Sequence, residues 1–365
     1  MPALDEWCEE SVKKAEARGL LRQLREVERL DNARIRVAGK EYISFSCNDY
    51  FGLTRHPEVI RAGIDAAERY GAGAAASRLV TGNHPLYSQL EAKLAEVKRT
   101  DAALVFGSGY LANLGMISSL MGREDLIIAD KLSHACMLDG AKLSGAKLLR
   151  FNHNDVADAE RLLAKARAEH RHCLIMTESV FSMDGDRAPL AALKALAERY
   201  DAWLLVDDAH GFGLPAQDAT QPDIWVGTLS KALGGYGGYV AASNAVIGCI
   251  KQNGRSFIFT TGLSPYNIGS SIKSINCIDD TKLNENIKYL AVALGLDGHD
   301  TPIFPVIIGE AEAAVAKQKA LADKGLWVQA IRPPTVPEGT ARLRITVSAS
   351  HTQSDLDQLI EALKI

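Results

Sequence analysis

The feature that most constrains the fold of this chain is a series of short apolar runs that alternate with helical patterns. The runs are AALVF (102–106), LIIAD (126–130), KLLRF (147–151), CLIMTES (173–179), AWLLVDD (202–208), DIWVGT (223–228) and GGYVAAS (237–243). Helical patterns at 156–169 and 189–200 flank the fourth run. Short apolar strands separated by helices are typical of a parallel sheet that is buried on both faces. We therefore predict an α/β fold with a mostly parallel central sheet covered by helices.

The two ends of the chain have different patterns. A length of 365 residues favours about two domains. Residues 4–30 are charged and predict an amphipathic helix, and residues 266–300 are polar and weakly patterned. Beyond these, TPIFPVIIG and ARLRITVSAS alternate as strands do, and helices are predicted at 310–324 and 353–363. We expect three parts: an N-terminal helix and arm (1–46), a large α/β domain (47–270) and a small α+β domain (271–365).

Composition excludes several classes of function. The net charge of −4 argues against broad binding to nucleic acid, which needs clustered basic surface. No uncharged run approaches the ~20 residues of a membrane span, and the charged N-terminus does not resemble a signal peptide. The six cysteines lie far apart without metal-binding spacing, so we expect reduced thiols, no metal site and a cytoplasmic location.

Polar residues follow several of the predicted strands, where ligands of open α/β sheets bind. Lys231 lies in VGTLSKALGG among hydroxyl residues and glycines, although most lysines lie on solvated surfaces. Asp207 and Asp208 follow the run WLLV, and adjacent residues of an extended chain point to opposite faces. A carboxylate at the end of a buried strand needs a partner, and the nearby His210 could supply one. Taken alone, Asp207 is more simply a helix cap or a salt-bridged residue.

Two further turns after predicted strands also contain glycines or polar residues. FGSGY (106–110) runs from a strand into a helix, so its glycines and free amides suit a phosphate or serve as a plain tight turn. TESVFSMDG (177–185) crowds Glu178, Ser182 and Asp184 after another strand. Pyridoxal phosphate has matching requirements: a lysine for a Schiff base, a carboxylate for its ring nitrogen and a cradle for its phosphate. Burial also lowers the pKa of a lysine and makes the neutral amine available. The joint pattern therefore predicts a pyridoxal phosphate site.

The chain resembles the α-oxoamine synthases, a branch of the fold-type I pyridoxal phosphate enzymes related to class II aminotransferases. The resemblance runs from about residue 18 to the C-terminus. It is based on SCNDYFGL, SRLVTGNHPLYSQLE, DKLSHA, FSMDGD, VDDAHGFG, TLSKALGG and IRPPTVPEGTARLRITVSASHT, in the order of the family. It implies a fold-type I transferase that joins an amino acid to an acyl thioester.

The resemblance also implies roles for individual residues. The implied catalytic residues are the Schiff-base and base residue Lys231, the ring-stacking His134, the ring-nitrogen partner Asp207, and His210 near the ring oxygen. The implied cofactor contacts are these four together with Gly109, Tyr110, Ser182 and Thr228. The implied substrate contacts are Arg22, Asn48, His134, Thr335 and Arg344.

Some of these roles compete with simpler interpretations. Arg342 lies two residues before Arg344 on the same strand face, so spacing alone does not choose which guanidinium grips a carboxylate. Arg22 would otherwise be a solvated residue of the first helix, and Glu178 could simply order neighbouring loops. The segment FIFTTGLSP resembles the element that completes a neighbouring subunit's phosphate site, through Thr260 or Thr261. We therefore expect a homodimer.

The block at 331–352 is most like members of the family that condense L-alanine with a pimeloyl thioester, carried by coenzyme A or an acyl carrier protein. Two alternatives stay open. A sibling synthase would keep nearly every cofactor residue and use glycine with acetyl-CoA. A non-catalytic relative would bind the cofactor or serve as a scaffold, although the presence of both Lys231 and Asp207 argues against it.

Overall fold

The computed structural model describes residues 3–17 and 20–364. The first elements are helix α1 (Ala3–Ala17) and strands β1 (Glu28–Arg29), β2 (Arg34–Val37) and β3 (Lys40–Ser44). The prediction of one helix over 4–30 is wrong beyond Ala17: residues 20–27 are irregular, and residues 18 and 19 lie outside the described part. No residue of α1 is buried, so no tertiary packing supports a longer helix.

Seven strands form the central sheet, and they match the seven predicted runs. They are β4 (Ala102–Phe106), β5 (Leu126–Asp130), β6 (Lys147–Phe151), β7 (Cys173–Glu178), β8 (Trp203–Asp207), β9 (Ile224–Thr228) and β10 (Gly238–Ala242). The order across the sheet is β4-β10-β9-β8-β7-β5-β6. Strand β10 is antiparallel to both of its neighbours, and the other paired strands are parallel. The predicted mostly parallel sheet is confirmed.

Helices cover both faces of this sheet. They are α2 (Pro57–Tyr70), α3 (Leu86–Lys98), α4 (Gly109–Leu120), α5 (Ala135–Ser144), α6 (Val156–Ala166), α7 (Leu190–Arg199), α8 (Asn244–Asn253) and α9 (Arg255–Ile258), with 3₁₀ turns at Leu53–Arg55 and Arg167–Glu169. Alternate residues of β5 enter separate apolar clusters: Leu126 and Ile128 pack in one, Ile127 and Ala129 in the other. A strand buried on both faces reads as a continuous apolar run, which is why the sequence pattern located these strands.

The C-terminal part contains α10 (Pro265–Asn276), α11 (Thr281–Ala293), β11 (Ile303–Gly309), α12 (Ala311–Asp323), β12 (Leu326–Trp327), β13 (Gln329–Ile331), β14 (Ala341–Thr346) and α13 (Gln353–Leu363). Strands β11, β14 and β13 form an antiparallel sheet. The weakly patterned segment 266–300 thus contains most of two helices, α10 and α11.

Strand β12 lies beside β3 in a second sheet, of order β1-β2-β3-β12. This sheet therefore contains residues from both ends of the chain. Arg34 on β2 also pairs with Asp355 near the C-terminus at 2.7 Å. The expected division of the chain at residues 46 and 270 stays a prediction. Among the described residues, none of the helices combines the length and apolar character required to cross a bilayer.

The sheet brings Glu178, Asp207 and Lys231 to one edge. In the pairing of β7 with β8, Glu178 is opposite Asp207, so both carboxyl groups lie at the carboxyl ends of adjacent strands. Strand β9 pairs with β8 on the other side and leads into the turn that carries Lys231. Three successive strands of the sheet thus end around one small region.

A charged cluster ties together two loops at the same side of the sheet. His153 Nδ1 lies 3.0 Å from Asp130 Oδ1, and His153 Nε2 lies 2.8 Å from Asp186 Oδ2. Asn154 adds a hydrogen bond to each carboxylate, from its backbone N–H to Asp130 and from its side-chain amide to Asp186. Burial opposes the charge on His153, but the two carboxylates outweigh it and raise the pKa of His153 to about 10. The cluster therefore fixes the loop that leads from β5 to His134.

We predict that His153→Gln lowers the free energy of unfolding by about 2 kcal/mol near neutral pH, because hydrogen bonds to charged groups contribute about 1.5–3 kcal/mol. An unfolded imidazole has a pKa of about 6.5, so the stabilisation by the protonated ring is complete below that pH, declines above it and is lost by about pH 10. Urea unfolding between about pH 6 and pH 10.5 should show the wild type converging on the variant. Parallel stability curves over this range would contradict the prediction.

Candidate active site

Lys231 lies in the turn after β9 and is half-buried. Its Nζ is 2.7 Å from His210 Nε2. Burial lowers the pKa of the Lys231 amine, while the carboxyl groups of Asp207 and Glu178 act in the opposite direction. An amine with a lowered pKa is more often neutral, and the neutral form is the nucleophile and the base.

Asp207 is buried at the end of β8. Its Oδ2 accepts a hydrogen bond from Asn113 Nδ2 at 2.8 Å, and its Oδ1 accepts one from the backbone N–H of Ala209 at 2.9 Å. Burial raises the pKa of the Asp207 carboxyl, and Lys231 and the Asn113 amide oppose this. A cationic group bound beside Asp207 would offset the cost of burying its carboxylate.

Asp208 faces the opposite side of the strand, as the alternation along an extended chain predicts. Its carboxylate forms an ion pair with Lys98 and accepts a hydrogen bond from Ser179 Oγ at 2.6 Å. Asp208 is therefore fully engaged in holding α3 and the loop after β7 against β8. Of the two aspartates, only Asp207 lies with Lys231, His210 and Glu178 in the group that we call the Lys231 cluster.

His210 connects Lys231 to a tyrosine. The ring is buried, with Nε2 toward Lys231 and Nδ1 2.6 Å from the hydroxyl of Tyr50. Burial holds the pKa of His210 well below its usual range, and the nearby Lys231 and Arg344 lower it further. His210 is therefore neutral at physiological pH, with one proton to place on either ring nitrogen.

His134 and Glu178 meet at the start of α5. His134 is the N-cap residue of this helix, and its backbone N–H donates to Glu178 Oε1 at 2.7 Å. Its ring Nδ1 accepts a hydrogen bond from the backbone N–H of Cys136 at 3.2 Å. Burial raises the pKa of Glu178 to about 8, and the adjacent Asp207 adds to the effect. His134 therefore does begin a helix, and Glu178 does hold a neighbouring loop in place. Glu178 belongs to the Lys231 cluster, and His134 borders it.

The turn before α4 forms a cradle for an anion. Gly109 and Tyr110 begin the helix, so their N–H groups have no acceptor within it. A Cβ on Gly109 would lie 3.3 Å from Thr228 Cβ and 3.4 Å from the Gly227 carbonyl oxygen, which is tight for any side chain. The hydroxyl of Thr228 lies beside this point, 2.7 Å from Ser230 Oγ. A helix N-terminus lined by hydroxyl groups suits a phosphate.

The side chain of Tyr110 is exposed, and its hydroxyl bonds to Asp139 on α5. Only the backbone of Tyr110 therefore faces the cradle with Gly109. Thr260 also lies close by, because its Cγ2 would be 3.7 Å from a Cβ on Gly107. The atom of Thr260 nearest this point is thus its methyl carbon.

The structure distinguishes the two arginines of β14. Arg342 pairs with Asp184, which satisfies its charge. Arg344 is equally buried, but across the described residues it has no carboxylate within ion-pair distance. Its donors reach the Ser182 carbonyl at 2.5 Å and Asn48 Oδ1 at 3.2 Å. A buried guanidinium without an acidic partner is suited to an incoming carboxylate.

Two predicted substrate contacts lie apart from this cluster. Arg22 is exposed on the irregular segment after α1, and Thr335 is exposed in the turn before β14. Neither forms a hydrogen bond or ion pair with the Lys231 cluster among the residues that the structure describes. Their expected contacts with the acyl substrate stay predictions. Ser182 presents its backbone carbonyl to Arg344, and a cofactor contact by its hydroxyl also stays a prediction.

Tyr50 and Asn113 are the site residues that sequence reasoning missed. Tyr50 lies within SCNDYFGL, one residue after Asp49 and two after Asn48, but nothing in that spacing points to His210. Asn113 lies four residues after Gly109, one helical turn along the same face of α4, which was the available signal.

The arrangement fits pyridoxal phosphate. The amine of Lys231 with its lowered pKa, the buried Asp207 carboxyl and the cradle at Gly109 are the three groups that this cofactor requires. Because Gly109 has no side chain, its backbone N–H and the hydroxyl of Thr228 are left to face a phosphate.

Comparisons with known proteins agree with this chemistry. A model of the family "Aminotransferase class I and II" matches residues 40–363. The chain is 51% identical over 368 residues to an 8-amino-7-oxononanoate synthase of Methylobacterium nodulans, with 99% of this chain and 97% of the relative covered.

Two solved structures are similar. One is a serine palmitoyltransferase from S. paucimobilis with a bound pyridoxal phosphate–myriocin aldimine: the TM-score is 0.91 at 30% identity, covering 100% of this chain and 98% of that one. The other is an 8-amino-7-oxononanoate synthase from Francisella tularensis, with a TM-score of 0.74 at 27% identity, covering 88% of this chain and 96% of that one.

Proposed function

The chain belongs to the aminotransferase class I and II family, and we propose that it is a pyridoxal phosphate-dependent acyltransferase of biotin synthesis. It condenses L-alanine with a pimeloyl thioester and releases 8-amino-7-oxononanoate, carbon dioxide and the free thiol. The observation that carries the proposal is the joint placement of Lys231, His210 and Asp207 at adjoining strand ends. The relatives named 8-amino-7-oxononanoate synthase support the choice of substrates.

The chain's own residues would hold the cofactor at three points. Lys231 would bind it covalently, Asp207 would face its ring nitrogen, and the N–H groups of Gly109 and Tyr110 would receive its phosphate. Thr228 would add a hydroxyl to the phosphate site. When bound, pyridoxal phosphate supplies an electron sink that stabilises negative charge at Cα of an amino acid.

Lys231 and Asp207 divide the acid–base work. A neutral Lys231 Nζ can accept the proton from Cα of the amino acid and later return one, because burial lowers its pKa. Asn113 and the N–H of Ala209 orient the Asp207 carboxylate so that it can stabilise positive charge on a ring nitrogen. His134, fixed by Glu178 at the start of α5, would cover one side of the site and shield it from water.

Arg344 would orient the amino acid by its carboxylate. The guanidinium is buried, held by the Ser182 carbonyl and accompanied by Asn48. A planar donor fork fixes both oxygens of a carboxylate and so fixes the direction of the Cα–H bond. In this proposal the directing group, Arg344, and the base, Lys231, are close enough for their charges to interact.

The proposal predicts a defined product. Purified protein supplied with pyridoxal phosphate, L-alanine and pimeloyl-CoA should form 8-amino-7-oxononanoate, identified by mass spectrometry. Lys231→Ala should lower turnover about 1,000-fold or more, because it removes the base and the covalent anchor. Lys14→Ala, which changes an exposed lysine of α1, is the matched control and should keep full activity. Product formed only from glycine and acetyl-CoA would identify a sibling reaction instead.

The two arginines of β14 make a second prediction. Arg344→Lys should raise the KM for L-alanine about 10- to 100-fold, because an ammonium group cannot reproduce the two-pronged contact. Arg342→Lys should change this KM by less than about threefold, since Arg342 pairs with Asp184 and a lysine retains that charge. Steady-state kinetics at saturating acyl donor measure both values. Equal effects of the two substitutions would show that Arg344 does not bind the carboxylate.

We also propose that the chain acts as a homodimer. The exposed apolar side chains Leu79, Val80 and Phe259 are 58%, 75% and 71% accessible. They lie on two segments joined by a β-bridge between Ser77 and Thr261, next to the phosphate cradle. Contact between two copies at this surface would cover these side chains. The expected cytoplasmic location stays a prediction.

In such a dimer, Thr260 or Thr261 of each subunit would reach the phosphate site of the other. Light scattering should give twice the monomer mass of 39.4 kDa. Phe259→Asp should shift the population toward monomer, because it places a charge in the apolar contact. Val292→Asp, at a residue of α11 that is 76% accessible, is the control and should leave the mass unchanged. A monomeric wild type at micromolar concentration would contradict the proposal.

A further inference from the structure

Tyr50 is completely buried beside the Lys231 cluster. Its hydroxyl oxygen lies 2.6 Å from His210 Nδ1 and 3.4 Å from Asn48 Oδ1. Burial raises the pKa of the Tyr50 phenol, so the group keeps its proton at any physiological pH. The hydroxyl therefore has one hydrogen to donate and two acceptors within reach.

His210 Nδ1 is the nearer of the two acceptors. A separation of 2.6 Å is that of a strong hydrogen bond, whereas 3.4 Å is marginal for a hydroxyl donor. Either atom of this pair can be the donor at 2.6 Å, but the Arg344 guanidinium beside the phenol can only donate to the phenol oxygen, which favours the tautomer in which the hydroxyl hydrogen points to Nδ1 of His210. In that tautomer Nδ1 accepts a hydrogen bond and carries no proton. Because the neutral ring carries one proton in all, that proton is on Nε2.

The tautomer of His210 affects Lys231 through the second ring nitrogen, Nε2. Nε2 lies 2.7 Å from Lys231 Nζ, so a protonated Nε2 donates to the amine. An amine can accept this hydrogen bond only in its neutral form, since an ammonium group has no lone pair. The opposite tautomer would present a lone pair at Nε2 and favour the ammonium form.

We propose that Tyr50 is a positioning residue that holds His210 in the Nε2–H tautomer and thereby keeps the Lys231 amine neutral. Its significance for catalysis rests on the proposed function, in which the neutral amine binds the cofactor and removes a proton. Tyr50 does so without contacting Lys231 itself.

The charges around Lys231 show why a hydrogen bond from His210 can affect the protonation of the amine. The titratable and charged groups near the amine are Asp207 on β8, Glu178 on β7, His134 and Cys136 at the start of α5, His210 after β8 and Arg344 on β14. The two carboxyl groups favour the ammonium form, whereas burial and Arg344 favour the neutral form. With these effects opposed, the direction of one hydrogen bond shifts the balance.

The tautomer can be observed directly in the ligand-free protein. Long-range ¹H–¹⁵N NMR distinguishes a protonated from an unprotonated ring nitrogen, and His210→Gln assigns the signals of this ring. The wild type should show Nε2 protonated and Nδ1 bare. In Tyr50→Phe the ring loses the donor to Nδ1, so the Nδ1–H tautomer should appear.

The second measurement follows the amine. Acylation of Lys231 by acetic anhydride in the ligand-free protein, resolved by peptide mass spectrometry, proceeds through the neutral form. At a fixed pH near 8, the rate in Tyr50→Phe should fall about tenfold, the effect expected for the loss of one favourable hydrogen-bond direction. The pH of half-maximal rate should rise.

Tyr239→Phe is the matched control. Tyr239 is also fully buried, but its hydroxyl has no hydrogen-bond partner among the described residues. This substitution removes the same atom from the core, and both measurements should stay at their wild-type values. An equal change in Tyr239→Phe would mean that any buried tyrosine substitution disturbs the site.

Either of two results would overturn the proposal. One is a wild-type His210 protonated on Nδ1, which needs no variant and so does not depend on Tyr50→Phe folding. The other is a folded Tyr50→Phe with an unchanged tautomer and unchanged Lys231 acylation. Neither measurement requires turnover, so both test the role of Tyr50 even if the product assay fails. Formation of the expected product would not make up for a negative result in either measurement.

Discussion

The Lys231 amine is held largely out of water, and much of the surrounding structure follows from this constraint. Desolvation disfavours the ammonium form, yet two carboxyl groups lie at neighbouring strand ends and favour it. A site that needs both an acidic group for a ring nitrogen and a neutral amine must separate these influences. In this chain Asn113 donates a hydrogen bond to the Asp207 carboxyl, and the ring of His210 lies beside the amine.

The sheet was predictable because its strands are buried on both faces. Their apolar runs are continuous, and the polar residues that end them, such as Asp207 and Glu178, stand out against them. Parallel strands then place those residues at one edge, so proximity follows from topology alone. The helix expected over 4–30 failed for the complementary reason: an exposed, charged pattern carries no information about packing, and α1 buries nothing.

Contacts between side chains could not be predicted from the sequence in the same way. Arg342 and Arg344 share a strand face, and only the loop that carries Asp184, which is distant in sequence, distinguishes them. Tyr50 reaches His210 across 160 positions of the chain, and no local periodicity encodes such a contact. What the residues could show was the type of chemistry. Which hydroxyl meets which nitrogen depends on the packing of elements from distant parts of the chain.

The small sheet that joins β3 to β12 has a consequence for synthesis on the ribosome. Residues 34–44 emerge early, but their neighbouring strand at 326–327 emerges near the end, as do Arg344 and the ion-pair partner of Arg34. Until then the nascent chain contains the strands of the central sheet with Lys231 and Asp207, but it lacks β14 and Arg344. A prematurely terminated chain would therefore contain Lys231 without Arg344, and its N-terminal hairpin of β2 and β3 would keep an open hydrogen-bonding edge.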